Sequence, residues 1–120
     1  MIIEQIGLCA VLEQLSEECN ELAKAALKMS RKVRNENPTP KTYSEIRNEL
    51  NEEIADVQNV LSILYEESDL LDKDSINETI DYKRDRWNRR LDDKFLTEDE
   101  ELFKEMLVEY NSNNRDQSNE

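Results

Sequence analysis

The sequence predicts an all-α protein of antiparallel helices whose core is completed by oligomerisation. One Gly and two Pro in 120 residues leave too few turn formers for a many-stranded fold. Good helix formers, Glu, Leu, Lys and Ala, are plentiful, and apolar residues recur at steps of three and four over long stretches. A chain this short has little room for a self-contained core, so its helices are expected to pair with those of a further copy.

The first element is a long helix whose apolar stripe is Leu8, Leu12, Leu15, Cys19, Leu22, Ala26 and Met29; it ends near Arg34, and its start carries no clear signal. Asn35, Glu36, Asn37, Pro38, Thr39 and Pro40 form the clear internal break, because each Pro restricts its predecessor and cannot continue a helix. Thr42 with Glu45 makes a capping box that opens a second long helix, with Ile46, Leu50, Ile54, Val57, Leu61 and Leu64 on its apolar face and an end near Ser68. Ser75 with Glu78 is a second capping box, opening a third helix through Ile76, Ile80, Trp87 and Leu91. Thr97 with Glu100 opens a fourth over Leu102, Phe103, Met106, Leu107 and Tyr110, and the polar ending from Asn111 reads as a disordered tail. The domain reading is a helical domain over 1–95, an added C-terminal helix over 96–110 and a tail over 111–120. No internal repeat argues for a solenoid.

Charge and composition narrow the function. Lys and Arg number 16 against 29 Asp and Glu, a net charge of -13, which argues against nucleic acid or an anionic lipid surface as partner. No apolar run approaches the roughly 20 residues of a membrane span, and the N-terminal segment lacks the basic start of a signal peptide, so a cytoplasmic protein is expected. Cys9 and Cys19 have no metal-ligand spacing and fall on the predicted apolar face, which reads them as reduced core residues. His is absent, which removes the usual zinc ligand and general base. Any chemistry must run on carboxylates, cations and water.

Carboxylates do form a pattern. Glu18 and Glu21 are three apart on the first helix, each directly before a stripe residue, and Glu53 and Asp56 repeat the arrangement on the second, with Glu49 one turn earlier and Asn59 one turn later. If the stripes pack together, these acids meet at the edge of the interface, where unpaired carboxylates repel and lose water. A divalent cation relieves that conflict, and oxygen-only ligands favour Mg²⁺, with Mn²⁺ as a substitute. The competing reading is chance: Glu98 and Glu101 have the same spacing on a face that reads as solvated.

The stretch from Glu17 to Ala25, with the acids at 17, 18 and 21, followed by Glu52-Glu53-Ile54-Ala55-Asp56-Val57-Gln58-Asn59-Val60-Leu61, resembles the paired motifs of MazG-like nucleotide pyrophosphohydrolases in the all-alpha NTP pyrophosphatase superfamily. The resemblance covers roughly the first two helices and extends to the third. It implies that Glu18, Glu21, Glu53 and Asp56 bind metal, that Glu17 and Glu52 lie in an outer shell, and that a nucleoside triphosphate is cleaved between its α- and β-phosphates to nucleoside monophosphate and pyrophosphate. It also implies a homodimer or homotetramer in which neighbouring helices complete a four-helix bundle. Either Glu18 or Glu21 is the type of residue to accept a proton from the attacking water. The long, Pro-containing connection departs from the family pattern, so the resemblance does not give the shape of the pocket mouth.

Positive charge for the phosphates is densest on the third helix, where Lys83, Arg86 and Arg90 share a face; the alternative is that they only pair with neighbouring acids. Lys28, one turn beyond Ala25, is a second phosphate ligand or simply a favourable charge near a helix C-terminus. Asn59 is a candidate for metal, sugar or base, or an ordinary polar flank. Trp87 and Tyr82 offer stacking surfaces, although a lone Trp in a small helical chain reads first as core. Two rival functions stand beside this one: a non-catalytic acidic helical interaction module, and a phosphoribosyl-ATP pyrophosphohydrolase of the same superfamily.

Overall fold

The computed structural model describes residues 1–36, 39–92 and 98–118. The chain is all-helical: α1 (Ile2–Ile6), α2 (Leu8–Arg34), α3 (Tyr43–Glu67), α4 (Lys73–Leu91) and α5 (Glu98–Ser118), with no strand among the described residues. It divides into two compact units, Met1–Lys73 and Asp74–Glu120. None of the described helices is long and apolar enough to cross a membrane.

The first unit is a hairpin of α2 against α3, with α1 packed on it. Both ends of the α2–α3 connection are built as the sequence predicts. Asn35 takes a left-handed conformation (φ 57°) and its N–H, with that of Glu36, bonds the carbonyls of Arg31 and Lys32, closing α2. On the other side Thr42 Oγ1 accepts from the Glu45 N–H at 3.2 Å, while a Glu45 carboxylate oxygen accepts from the Thr42 N–H at 3.1 Å. Asn37 and Pro38 lie outside the described residues.

The buried seam is turned slightly from the predicted stripes. On α2, Val11 and Ala25 are buried and Leu8, Leu15, Leu22 and Met29 half-buried, whereas Leu12, Cys19 and Ala26 are exposed. On α3, Ile46, Val60 and Leu64 are buried and Leu50, Val57 and Leu61 half-buried, whereas Ile54 is exposed. Apolar residues on each helix span a wider arc than one partner helix can cover. The hairpin therefore covers one flank and leaves the other, with Cys9 and Cys19, both free, outside the core that the sequence predicts for them.

The start of α2, without a signal in the sequence, is set by Gly7. Its backbone (φ 89°, ψ 156°) breaks the helix and turns α1 across the hairpin, where the Ile3 N–H donates to Glu67 at 3.0 Å. Ile3, Leu8, Leu15, Ile63 and Leu71 pack on the cluster of Val11, Val60 and Leu64.

α4, which belongs to the second unit from Asp74 onward, begins at Lys73, two residues before the predicted Ser75 cap, so Ser75 lies inside the first turn and its carbonyl accepts from the Thr79 hydroxyl. Asp72, just ahead of the helix, is itself a favoured capping type. Trp87, predicted as core, is 70% exposed. The Thr97 cap lies outside the described residues, and α5 runs through Asn111 to Ser118, where polarity alone predicts a tail. No Gly or Pro interrupts that stretch, so nothing in the backbone stops the helix.

Candidate metal centre and its flanking cavities

The turn of the seam places acids where apolar residues are expected. Glu18 lies between Leu15 and Leu22 on the packed face of α2, and Glu53 between Leu50 and Val57 on that of α3; both are half-buried. Asp56, one turn beyond Glu53, is exposed. One carboxylate oxygen from each of Glu18, Glu53 and Asp56 lies within 4.8 Å of the others. Gln14 Nε2 donates to Glu18 at 2.7 Å and steadies its carboxylate from the preceding turn.

Glu21, the fourth acid of the predicted set, stands outside this trio. It is exposed and accepts from Lys24 Nζ at 3.3 Å. Glu21 nevertheless lines a cavity of about 240 Å³ with Lys24, Ala25, Lys28, Glu49 and Glu53. Loss of water raises the Glu53 carboxyl above its ordinary value, and the negative charges of Asp56, Glu21, Glu18 and Glu52 push it further the same way. The other three predicted acids, Glu18, Glu21 and Asp56, thus all act on Glu53.

A second cavity of about 250 Å³ continues toward the turn, walled by Lys28, Arg31, Thr39, Pro40, Lys41 and Ile46. Lys28 belongs to both walls. Lys41 donates to Glu49; that bond, followed by the attraction of the opposite charge, raises the Lys41 amine. The same contact lowers the Glu49 carboxyl, and the Lys28 charge adds to the effect.

On α4, Arg86 lies 5.7 Å from the Tyr82 ring centroid, a cation–π distance, and Arg89 pairs with Asp85 at 2.8 Å. Tyr82, Arg86, Arg89 and Arg90 line a shallow cleft. Lys83, predicted with Arg86 and Arg90, is exposed and absent from that lining, whereas Arg89 joins it. Asn59 is exposed on α3. Sequence reasoning missed Gln14 and Lys24, although both stand a helical turn from a predicted acid, and missed Arg31 and Lys41, whose meeting needs the closed hairpin.

Compared with protein-family models, with curated proteins and with solved structures, the chain matches none.

Proposed function

We propose that the protein is a cytoplasmic, magnesium-dependent nucleoside triphosphate pyrophosphohydrolase, acting as a homodimer or homotetramer whose helices complete a four-helix bundle. The observation that carries this reading is the convergence of Glu18, Glu53 and Asp56 within 4.8 Å beside a cavity that leads to cations. Three carboxylates without His or thiolate suit Mg²⁺ or Mn²⁺, and a half-buried, mutually repelling set is one that a divalent cation would relieve. The resemblance of the two acidic segments to MazG-like enzymes supplies the reaction.

Glu18, Glu53 and Asp56 would hold the ion. When bound, Mg²⁺ neutralises phosphate oxygens and lowers the pKa of water. Hydrolysis forms a bond from the water oxygen to the α-phosphorus and breaks the one from that phosphorus to the α–β bridging oxygen, releasing nucleoside monophosphate and pyrophosphate. Glu21, on the cavity wall but outside the trio, is assigned the proton of the attacking water, and its bond to Lys24 keeps the carboxylate turned along the helix. Lys28 faces the departing phosphates, and Asn59 offers an amide to sugar or base; the basic face of Lys83, Arg86 and Arg90 belongs to the second unit.

The test is incubation with each common and modified NTP and dNTP, with and without Mg²⁺, reading pyrophosphate and orthophosphate separately. Mg²⁺-dependent pyrophosphate release is expected. Orthophosphate alone, or no turnover with any substrate, overturns the reading.

A further inference from the structure

The cavity at the turn end of the hairpin is a concentration of positive charge on a chain of net charge -13. Three cations, Lys28, Arg31 and Lys41, line it. The acids that face them are Glu49, bonded to Lys41, Glu45, whose carboxylate already accepts the Thr42 N–H, and, beside Lys28 on the adjoining wall, Glu21 and Glu53. Among the described residues neither Lys28 nor Arg31 forms an ion pair.

The bland account of Arg31 is that it neutralises the C-terminal end of α2. The carbonyls of Arg31 and Lys32, however, already accept from the N–H groups of Asn35 and Glu36, so backbone capping does not require the side chain. Thr39, on the same wall, carries a buried hydroxyl with no hydrogen-bond partner among the described residues, and an unpaired buried polar group costs stability unless something meets it. The N-terminus of the 25-residue α3, with its positive dipole end, adjoins the wall at Lys41. Three cations and a hydroxyl around one hollow form a donor set suited to a phosphoryl group.

The path to the acids is short. Lys28 is shared with the cavity that holds Glu21 and Glu53, and the seven residues from Glu21 to Lys28 rise about 10 Å along α2. We propose that the pocket of Lys28, Arg31, Thr39 and Lys41 binds the terminal phosphoryl group of a polyphosphate whose reacting end lies at Glu18, Glu53 and Asp56. This deepens the pyrophosphohydrolase reading and rests on it. In this assignment the leaving pyrophosphate is held by α2 and the turn.

The experiment is calorimetric titration of the full chain with inorganic pyrophosphate and with inorganic phosphate, without turnover, on the wild type and on Arg31→Gln, Arg31→Lys, Lys41→Gln and Arg86→Gln. Circular dichroism checks that each variant is folded. Arg31→Gln is expected to weaken pyrophosphate by roughly ten-fold, the loss of one charge-assisted contact, with partial recovery in Arg31→Lys. Lys41→Gln should act in the same direction. Pyrophosphate should bind more tightly than phosphate, because its second phosphoryl group adds negative charge within reach of the same three cations.

If Arg86→Gln weakens pyrophosphate and Arg31→Gln does not, the pocket is refuted and the anion belongs to α4. If the chain hydrolyses triphosphates while Arg31→Gln leaves both pyrophosphate affinity and KM unchanged, the pocket is refuted and the enzyme reading stands. If pyrophosphate binding depends on Arg31 but no triphosphate is turned over, the phosphoryl pocket is upheld and the enzyme reading falls.

Discussion

Glu18 and Glu53 stand at positions of the helix seam that an apolar residue would ordinarily fill, and that is why the proposed ion is assigned to them. A charge half-withdrawn from water and surrounded by like charges is costly, which makes substitution informative. Glu53→Gln and Asp56→Asn are each expected to lower pyrophosphate release at least about 100-fold, with the helical circular dichroism unchanged, because each removes a charged ligand from the proposed ion. Retained turnover in both would remove their assigned roles.

The pH dependence belongs to the same residue. The folded chain holds the Glu53 proton more tightly than the unfolded chain does. The stability this contributes is complete below the unfolded value, near 4.5, and is lost as pH rises through the higher folded value. Thermal midpoints measured in chelator from about pH 4 to pH 7 should therefore fall with rising pH, and Glu53→Gln should flatten the fall. Glu49 has the opposite sign, since its lowered carboxyl loses stability only as pH drops below 4.5, and the two are separable by their pH windows.

At the scale of elements, α2 and α3 were largely legible from local chemistry. The Thr42 box, the Pro-rich break and the end of α2 at Arg34 depend on neighbours within a turn, and they lie where the sequence places them. What sequence could not supply is rotation: Leu12 and Val11, or Ala26 and Ala25, are equally apolar, and only the partner helix chooses which of them is covered. For the same reason the acids were found as a pair of motifs, but not that Glu18, rather than Glu21, closes with Glu53 and Asp56. The start of α4 was misread because Asp72 and Ser75 are both good caps and spacing alone favoured the box. Two substitutions test the elements. Thr42→Ala should cost about 1 kcal/mol in denaturant melts, through loss of the cap at the α3 N-terminus. Gly7→Ala, where an added Cβ meets nothing within 4 Å, should cost about 1 to 3 kcal/mol from backbone strain alone, loosening α1 first in hydrogen exchange.

On the scale of the whole molecule, the described core is small. The buried apolar side chains, Val11, Ala25, Ile46, Val60 and Leu64, all lie in the first unit, while Leu12 and Ile54 stand exposed on α2 and α3. A core of this size gains from association with a second copy, the arrangement proposed above. The melting temperature should then rise with protein concentration, and Leu12→Asp with Ile54→Asp should shift sedimentation toward a smaller species. A single species whose melting temperature ignores concentration would contradict the bundle.

The hairpin's opposed chain directions fix how this protein tolerates altered length. Facing positions run in reverse order along the two rods: Lys28 shares a wall with Ile46, Ala25 with Glu49, Glu21 with Glu53, and Glu18 clusters with Asp56. An extra residue in the connecting turn leaves every one of those partnerships in place. An extra residue inside α2 between Glu21 and Lys28 swings everything on one side of it by about 100°, so Glu21 and Lys28 would no longer line one cavity although each remained intact.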